Sequence, residues 1–354
     1  MDISQLISIL ENPPDVPYPV ILPDFFVDHY VLVPTFEAFV HRLELLAGQG
    51  GGNLLDNTQF IRKGGNSVNT ASALLSLGLS PKMIITTDEY GASLLKALAP
   101  SGLDLSHVHT DGRLSTTVSI ETEYQNRKIN LMISDSGSAS SFKYSDLTPE
   151  DFQIIENSGL VALVNLNHNQ NGADLAHDLF TYVKDTTNAI TFMDIGDPSS
   201  HPHLVKPLAT RVLKNGLVDI LGVNENEIGW VSWVLSGKDE KWKNLVSRPN
   251  EWLPAAKMIA HETGVRVDLH TPQFSMSVID NEVFSVPSFQ TESRVVCGAG
   301  DAWNAGNIYG ELLRLSTSER LILANAVAAL YISSETANHP TRNAIVDFLE
   351  RKMH

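Results

Sequence analysis

The stretch Cys297-Gly298-Ala299-Gly300-Asp301-Ala302-Trp303-Asn304-Ala305-Gly306 gathers residue types suited to one kind of chemistry. Gly298 and Gly300 allow backbone angles and close approaches that larger residues forbid. The residues that follow have helical spacing, which predicts a long helix over 301–315. Free N–H groups at a helix start point at an anion, and the helix dipole adds to the attraction. Gly298, Ala299 and Gly300 would then stabilise charge on a phosphoryl group in flight. Asp301, placed beside them, can accept the proton of an attacking hydroxyl. On these residues alone the pattern also reads as a loop with a helix cap, because Asp favours helix starts.

The elements around this stretch must bring a substrate to it. Residues 20–22 followed by 25–33 read as a β-hairpin or one strand interrupted by Pro23. A short helix is expected over 36–46, then a glycine-rich loop at 48–52 and a strand at 58–62. Residues 67–77 read as a helix with Gly78 at its C-terminal cap. A short strand is expected at 82–86 and a helix at 91–98. Residues 116–123 and 128–134 alternate like half-exposed strands joined by a turn at 124–127. Beyond them strand and helix alternate: strands at 160–165, 189–194, 218–223 and 265–269, and helices at 173–183, 225–235 and 319–335. Such alternation implies a mostly parallel sheet covered on both faces.

Composition bounds the function. The chain has 354 residues, 43% of them hydrophobic, enough for one large domain or two medium ones. A net charge of -16 argues against broad contact with nucleic acid or an anionic membrane. It leaves room for a nucleotide, whose phosphates backbone N–H groups and a divalent ion can hold. The single cysteine, Cys297, excludes a disulfide within the chain. With no signal-like start and no long apolar run, a cytoplasmic protein is expected.

Four segments resemble the ribokinase-like (PfkB) carbohydrate kinases. The stretch from Gly298 to Gly306 resembles the family's C-terminal signature. Gly64-Gly65-Asn66-Ser67-Val68-Asn69-Thr70-Ala71 resembles its N-terminal motif. Asn224-Glu225-Asn226-Glu227 resembles its Asn-x-x-Glu element. Ala324-Asn325-Ala326 with Pro340-Thr341 resembles, more weakly, the closing helix and loop beside the nucleotide base. They follow the family's order across nearly the whole chain.

The resemblance implies a doubly wound α/β fold, one domain over 1–354, with a small β-sheet lid drawn from 30–62 and 115–134. It implies phosphoryl transfer from a nucleotide to a hydroxyl of a sugar or nucleoside. Asp301 would be the base and Gly298, Ala299 and Gly300 the anion hole. Asn224 and Glu227 would organise Mg²⁺ and the phosphates through water, and Asn325 and His270 would neighbour the nucleotide. Asp28, Gly64, Gly65 and Asn69 would hold the substrate. In many relatives the lid also forms a homodimer interface. Asp194, at the end of an apolar strand, could assist the metal's water shell, or simply start a loop.

Two segments depart from the family pattern. Val295-Val296-Cys297 replaces an Asp-Thr-Thr-like run, which puts potassium activation in doubt. Asp268-Leu269-His270-Thr271-Pro272 replaces Thr-Leu-Gly beside the nucleotide and faintly resembles the ADP-dependent sugar kinases. ATP is the expected donor, with ADP open. These departures also keep a rival in view, a non-catalytic binding or regulatory protein on the same fold. Arg62, Lys63, Arg127 and Lys128 could reach substrate from the lid, although solvated surface charge is the plainer account of each. The thiol of Cys297 is expected to be buried rather than reactive. Trp230, Trp233, Trp242 and Trp252 are expected to pack over a core edge.

Overall fold

The computed structural model describes residues 3–295 and 297–353. Its strands in chain order are β1 (Pro19–Leu22), β2 (Phe26–Thr35), β3 (Thr58–Gly64), β4 (Lys82–Met83), β5 (Ile85–Thr86), β6 (Val108–His109), β7 (Thr116–Tyr124), β8 (Arg127–Asp135), β9 (Leu160–Leu163), β10 (Ile190–Asp194), β11 (Ile220–Val223), β12 (Arg266–His270), β13 (Phe274–Ile279) and β14 (Glu282–Pro287). Eight form the main sheet, in the order β14-β13-β12-β11-β10-β9-β1-β4. From β4 to β12 neighbours are parallel; β13 and β14 add on antiparallel. The sheet is therefore mixed at one edge.

The central strands read as unbroken apolar runs because both faces are covered. In β9, Leu160 and Ala162 enter one hydrophobic layer, while Val161 and Leu163 enter the other. Helices Asn66–Ser76, Ala299–Leu312 and Thr317–Ile332 supply the first layer. Helices Gly172–Thr186, Glu227–Leu235 and Trp252–Thr263 supply the second. A fully buried aliphatic side chain contributes about 1.5–3 kcal/mol, so these two layers dominate the fold's stability. The tryptophans belong to the second layer: Trp242 and Trp252 are buried in it, with Trp230 and Trp233 packed against it.

The lid is a separate four-stranded sheet in the order β3-β2-β7-β8. Its β7–β8 hairpin turns through Gln125 and Asn126, both at positive φ, which fits a tight two-residue turn. Helix Phe36–Gly48 is inserted between β2 and β3 and buries none of its residues.

The structure corrects three readings of the sequence. The segments 20–22 and 25–33 are neither a hairpin nor one strand: β1 lies in the main sheet and β2 in the lid, with a cis Leu22–Pro23 peptide between them. Residues 82–86 form two strands, because β4 pairs with β1 whereas β5 pairs with β6. Asp268 does not border a nucleotide site; it is fully buried. Its Oδ2 accepts from Arg320 Nη1 at 2.7 Å and from Asn307 Nδ2 at 3.0 Å, and its Oδ1 accepts from Ser277 Oγ at 2.6 Å. This cluster ties β12 to the two helices at 299–312 and 317–332, which fixes the helix that carries Asp301. Breaking a buried ion pair of this kind costs about 3–5 kcal/mol.

Candidate active site

The carboxyl ends of β9, β10, β11 and β12 open into one cleft, where ligands sit in open α/β sheets. The lid forms its opposite wall. The cavity measures about 270 Å³ and is lined by Asp28, Gly65 and Asn69 on one side, by Asp194, Asn224, Glu227 and His270 on another, and by Gly298, Gly300 and Asp301 between them. Three expected residues are not among its lining. Ala299 lies in the anion turn between two residues that are. Gly64 is buried under Asp28. Asn325 is committed elsewhere: its Oδ1 accepts from Trp303 Nε1 at 2.9 Å, and its Nδ2 donates to Pro287 O at 3.2 Å. Its amide links β14 to Trp303, which stacks on His270 of the cavity lining.

The anion turn comes from Gly298, in the left-handed region at φ 85°, followed at once by helix Ala299–Leu312. The first N–H groups of any helix have no intrahelical acceptor, and Gly298, Gly300 and Asp301 line the cleft. A Cβ at Gly298 would lie 2.5 Å from the Tyr331 hydroxyl, which donates to Cys297 O at 2.8 Å and holds the approach to the turn. A Cβ at Gly300 would lie 3.3 Å from His270 Nε2. Asp301, in the first helical turn, is only 6% exposed. Burial pushes its carboxyl well above the usual carboxylate range, while the Asn69 amide and the Lys63 charge pull it back. A base held that way is better matched to neutral pH than a free carboxylate.

On the acceptor side Asp28 sits in β2, opposite Arg62 of β3 and Thr117 of β7. A Cβ at Gly64 would overlap the Asp28 carboxylate, so the glycine makes room for it. Gly65 has φ 89°, and a Cβ there would lie 2.9 Å from Phe25 Cα. Asn69 Nδ2 donates to Asp301 Oδ2 at 3.1 Å. Burial and the neighbouring charge of Asp24 push the Asp28 carboxyl up to about 6. Only the ionised form accepts a hydroxyl proton with both oxygens. Affinity for the acceptor is therefore expected to fall as pH drops from 7.5 to 5, and to stay flat across that range in Asp28→Asn. Calorimetric titration without nucleotide checks both.

On the donor side Asn224 and Glu227 cap each other. Glu227 Oε1 accepts from Asn224 Nδ2 at 2.8 Å, and Asn224 Oδ1 accepts from the Glu227 N–H at 3.0 Å. The spacing thus has a structural purpose, starting helix Glu227–Leu235, and it also aims the carboxylate into the cleft. Asp194 accepts from Asn304 Nδ2 at 2.6 Å and from the Gly196 N–H at 2.8 Å. Burial pushes both carboxyls up, and the charge of Asp194 raises Glu227 further. Two buried carboxylates in one cleft suit a hydrated Mg²⁺, which takes one or two protein oxygens and keeps several waters. His270 is stacked on Trp303 with ring centroids 4.9 Å apart, and burial lowers it to about 4, so it is neutral at physiological pH.

Sequence reasoning undervalued several residues here. Lys63 is half-buried beside Asn69, whereas Arg127 and Lys128 are exposed at the hairpin end. Asp24 was not singled out: it accepts from the Asn66 and Ser67 N–H groups at 2.9 and 2.8 Å and from Asn165 Nδ2 at 2.8 Å. It caps the helix that carries Asn69. An Asp after an apolar strand is a weak signal, and its partners lie 42 or more residues away. Cys297 is half-buried and lines the cavity, so the expected full burial is not found; desolvation nonetheless pushes its thiol up to about 11. Val296 lies outside the described residues.

Residues 38–344 match the pfkB family carbohydrate kinases. A ribokinase from Haemophilus influenzae is 24% identical over 332 residues, covering 91% of this chain and 95% of that protein. The structure of Arabidopsis thaliana ribokinase with ribose and ATP superposes with a TM-score of 0.71 at 18% identity, over 95% of this chain and 99% of that one. A Burkholderia thailandensis nucleoside kinase in complex with inosine gives a TM-score of 0.64 at 18% identity, over 94% and 98%. The fold is therefore ribokinase-like, and the chain belongs to the pfkB carbohydrate kinase family.

Proposed function

We propose that this kinase moves the γ-phosphoryl group of ATP, as its Mg²⁺ complex, to a hydroxyl of a small sugar or sugar-like acceptor, with Asp301 as the base. The observation that carries this reading is the convergence of Asp301, the 298–300 turn and Asp28 on one cavity. The acceptor hydroxyl gives its proton to the Asp301 carboxylate as its oxygen bonds to phosphorus and the bond to the departing ADP breaks. The turn's N–H groups face the charge on the transferring group. Asp28 and Gly65 hold the acceptor. Asn224, Glu227 and Asp194 meet the donor side, where bound Mg²⁺ would neutralise phosphate charge. The lid excludes water from the transfer.

Ribose and ATP in the Arabidopsis neighbour support a pentose and ATP; inosine in the Burkholderia neighbour keeps a nucleoside acceptor in play. The test is turnover of a panel of pentoses, hexoses and nucleosides with ATP and, separately, ADP. We expect ATP-dependent phosphorylation of a ribose-like acceptor that stops when EDTA removes Mg²⁺. Uptake of sugar and ATP with no product formed would favour the non-catalytic rival. One face of the lid exposes Ile61, Val118 and Ile133 in register, which supports pairing of two lids in a homodimer; sedimentation at a monomer mass would reject that arrangement.

A further inference from the structure

Of the four basic lid residues that could reach the substrate, Lys63 is the one bonded to a residue of the cavity, Asn69. Lys63 is the penultimate residue of β3, just before Gly64-Gly65, and its Nζ donates to Asn69 Oδ1 at 2.8 Å. The same Asn69 amide donates through Nδ2 to Asp301 Oδ2 at 3.1 Å. A cation therefore sits at one end of this amide and an anion at the other. Flipping the amide would set donor against donor and acceptor against acceptor, so only one orientation is compatible with both neighbours.

We propose that Lys63 is a positioning residue for the transfer: its ammonium fixes which way the Asn69 amide faces, and Asn69 in turn holds Asp301 at the mouth of the anion turn. This rests on Asp301 being the base. The reasoning follows the base through its cycle. While Asp301 is ionised, its own charge selects the amide's N–H. Once it takes the acceptor's proton that preference weakens, and Lys63 alone keeps Asn69 in place until the proton leaves. Lys63 retains its charge for this purpose. Burial lowers it only to about 8, against the opposing pull of Asp301 and Asp28. The ammonium also offsets part of what burial costs the ionised base. The ammonium is linked to the Asp301 carboxylate through one intervening amide, in partly buried surroundings where a charge counts for more than at the surface.

The experiment combines kinetics with structure on the intact chain. Wild type, Lys63→Met, Lys63→Arg and Asp301→Asn are assayed with ATP and the best acceptor of the panel, D-ribose being the first probe. Crystal structures of wild type and Lys63→Met are compared. Misplacing a reacting group by about 1 Å costs on the order of 10²-fold, so Lys63→Met should lose about that much in kcat with little change in acceptor KM. Lys63→Arg keeps the charge and should recover most of the loss. In the Lys63→Met crystal, the Asn69 amide should part from Asp301. An unchanged kcat, a rise in KM alone, or an intact Asn69–Asp301 bond in Lys63→Met overturns the proposal. Full activity in Asp301→Asn, or no acceptor in the panel, overturns the base or the activity instead, and the pair of crystal structures still decides the role of Lys63.

Discussion

Asp301→Asn should lower turnover by about 10²–10⁴, the usual contribution of a general base. The amide is nearly the same size as the carboxylate, so packing inside the cleft should barely change and the melting temperature should stay close to wild type. Burial already disfavours the ionised carboxylate at this position, so the neutral amide adds no desolvation cost. KM for ATP should hold, because the proposed donor site is built on Asn224, Glu227 and Asp194. Steady-state kinetics on a confirmed acceptor, read beside a thermal melt, tests this. A variant that keeps more than a tenth of wild-type kcat would remove Asp301 from the chemistry.

The second large effect is expected at Gly298. A side chain there must adopt φ 85° and would press its Cβ to 2.5 Å from the Tyr331 hydroxyl. A β-branched residue in the left-handed region is strained by about 1–3 kcal/mol, so Gly298→Val should lower stability and displace the turn's N–H groups. Loss of one such donor costs about 10²–10³ in kcat. Removing the hydroxyl in Gly298→Val/Tyr331→Phe relieves the contact but not the backbone strain, so the double variant should recover little activity. Full recovery would show that the clash alone mattered and that the left-handed bend is dispensable.

Both predictions rest on residues legible in the sequence, because each announces itself locally. Gly298, Gly300 and Asp301 lie within four positions and open a helix whose apolar spacing is strong. Asn224 and Glu227 follow an apolar strand at cap spacing. Other features depend on partners far along the chain. The expected lid segment 30–62 already set most of β2 apart from 20–22, but nothing near Val20 says which sheet β1 joins, since only its pairing partners decide that. Asn325 resembled a nucleotide neighbour by position; its amide bonds Pro287 and Trp303, and these partners, distant in sequence, are not legible near it. Lys63 looked like surface charge until β3 brought it beside Asn69. The antiparallel pair β13–β14 did carry a local signal, since Asp280, at φ 51°, falls between two strand-like runs. The assumption of continued parallel alternation hid it.

One continuity in the chain has a wider effect. β3 of the lid passes through Gly64-Gly65 straight into helix Asn66–Ser76, with no loop between them. The lid strand beside Asp28 and the helix that carries Asn69 are thus successive parts of one segment. A shift of the lid must tug on Asn69. A molecule too small to seat the lid would therefore leave the proton acceptor slack, and ATP would survive its visit unspent. Selectivity against water would then reside in the backbone path itself, and a flexible insertion after Gly64 should slow transfer to sugar and to water alike; an insertion variant that gains ATPase activity would count against this coupling.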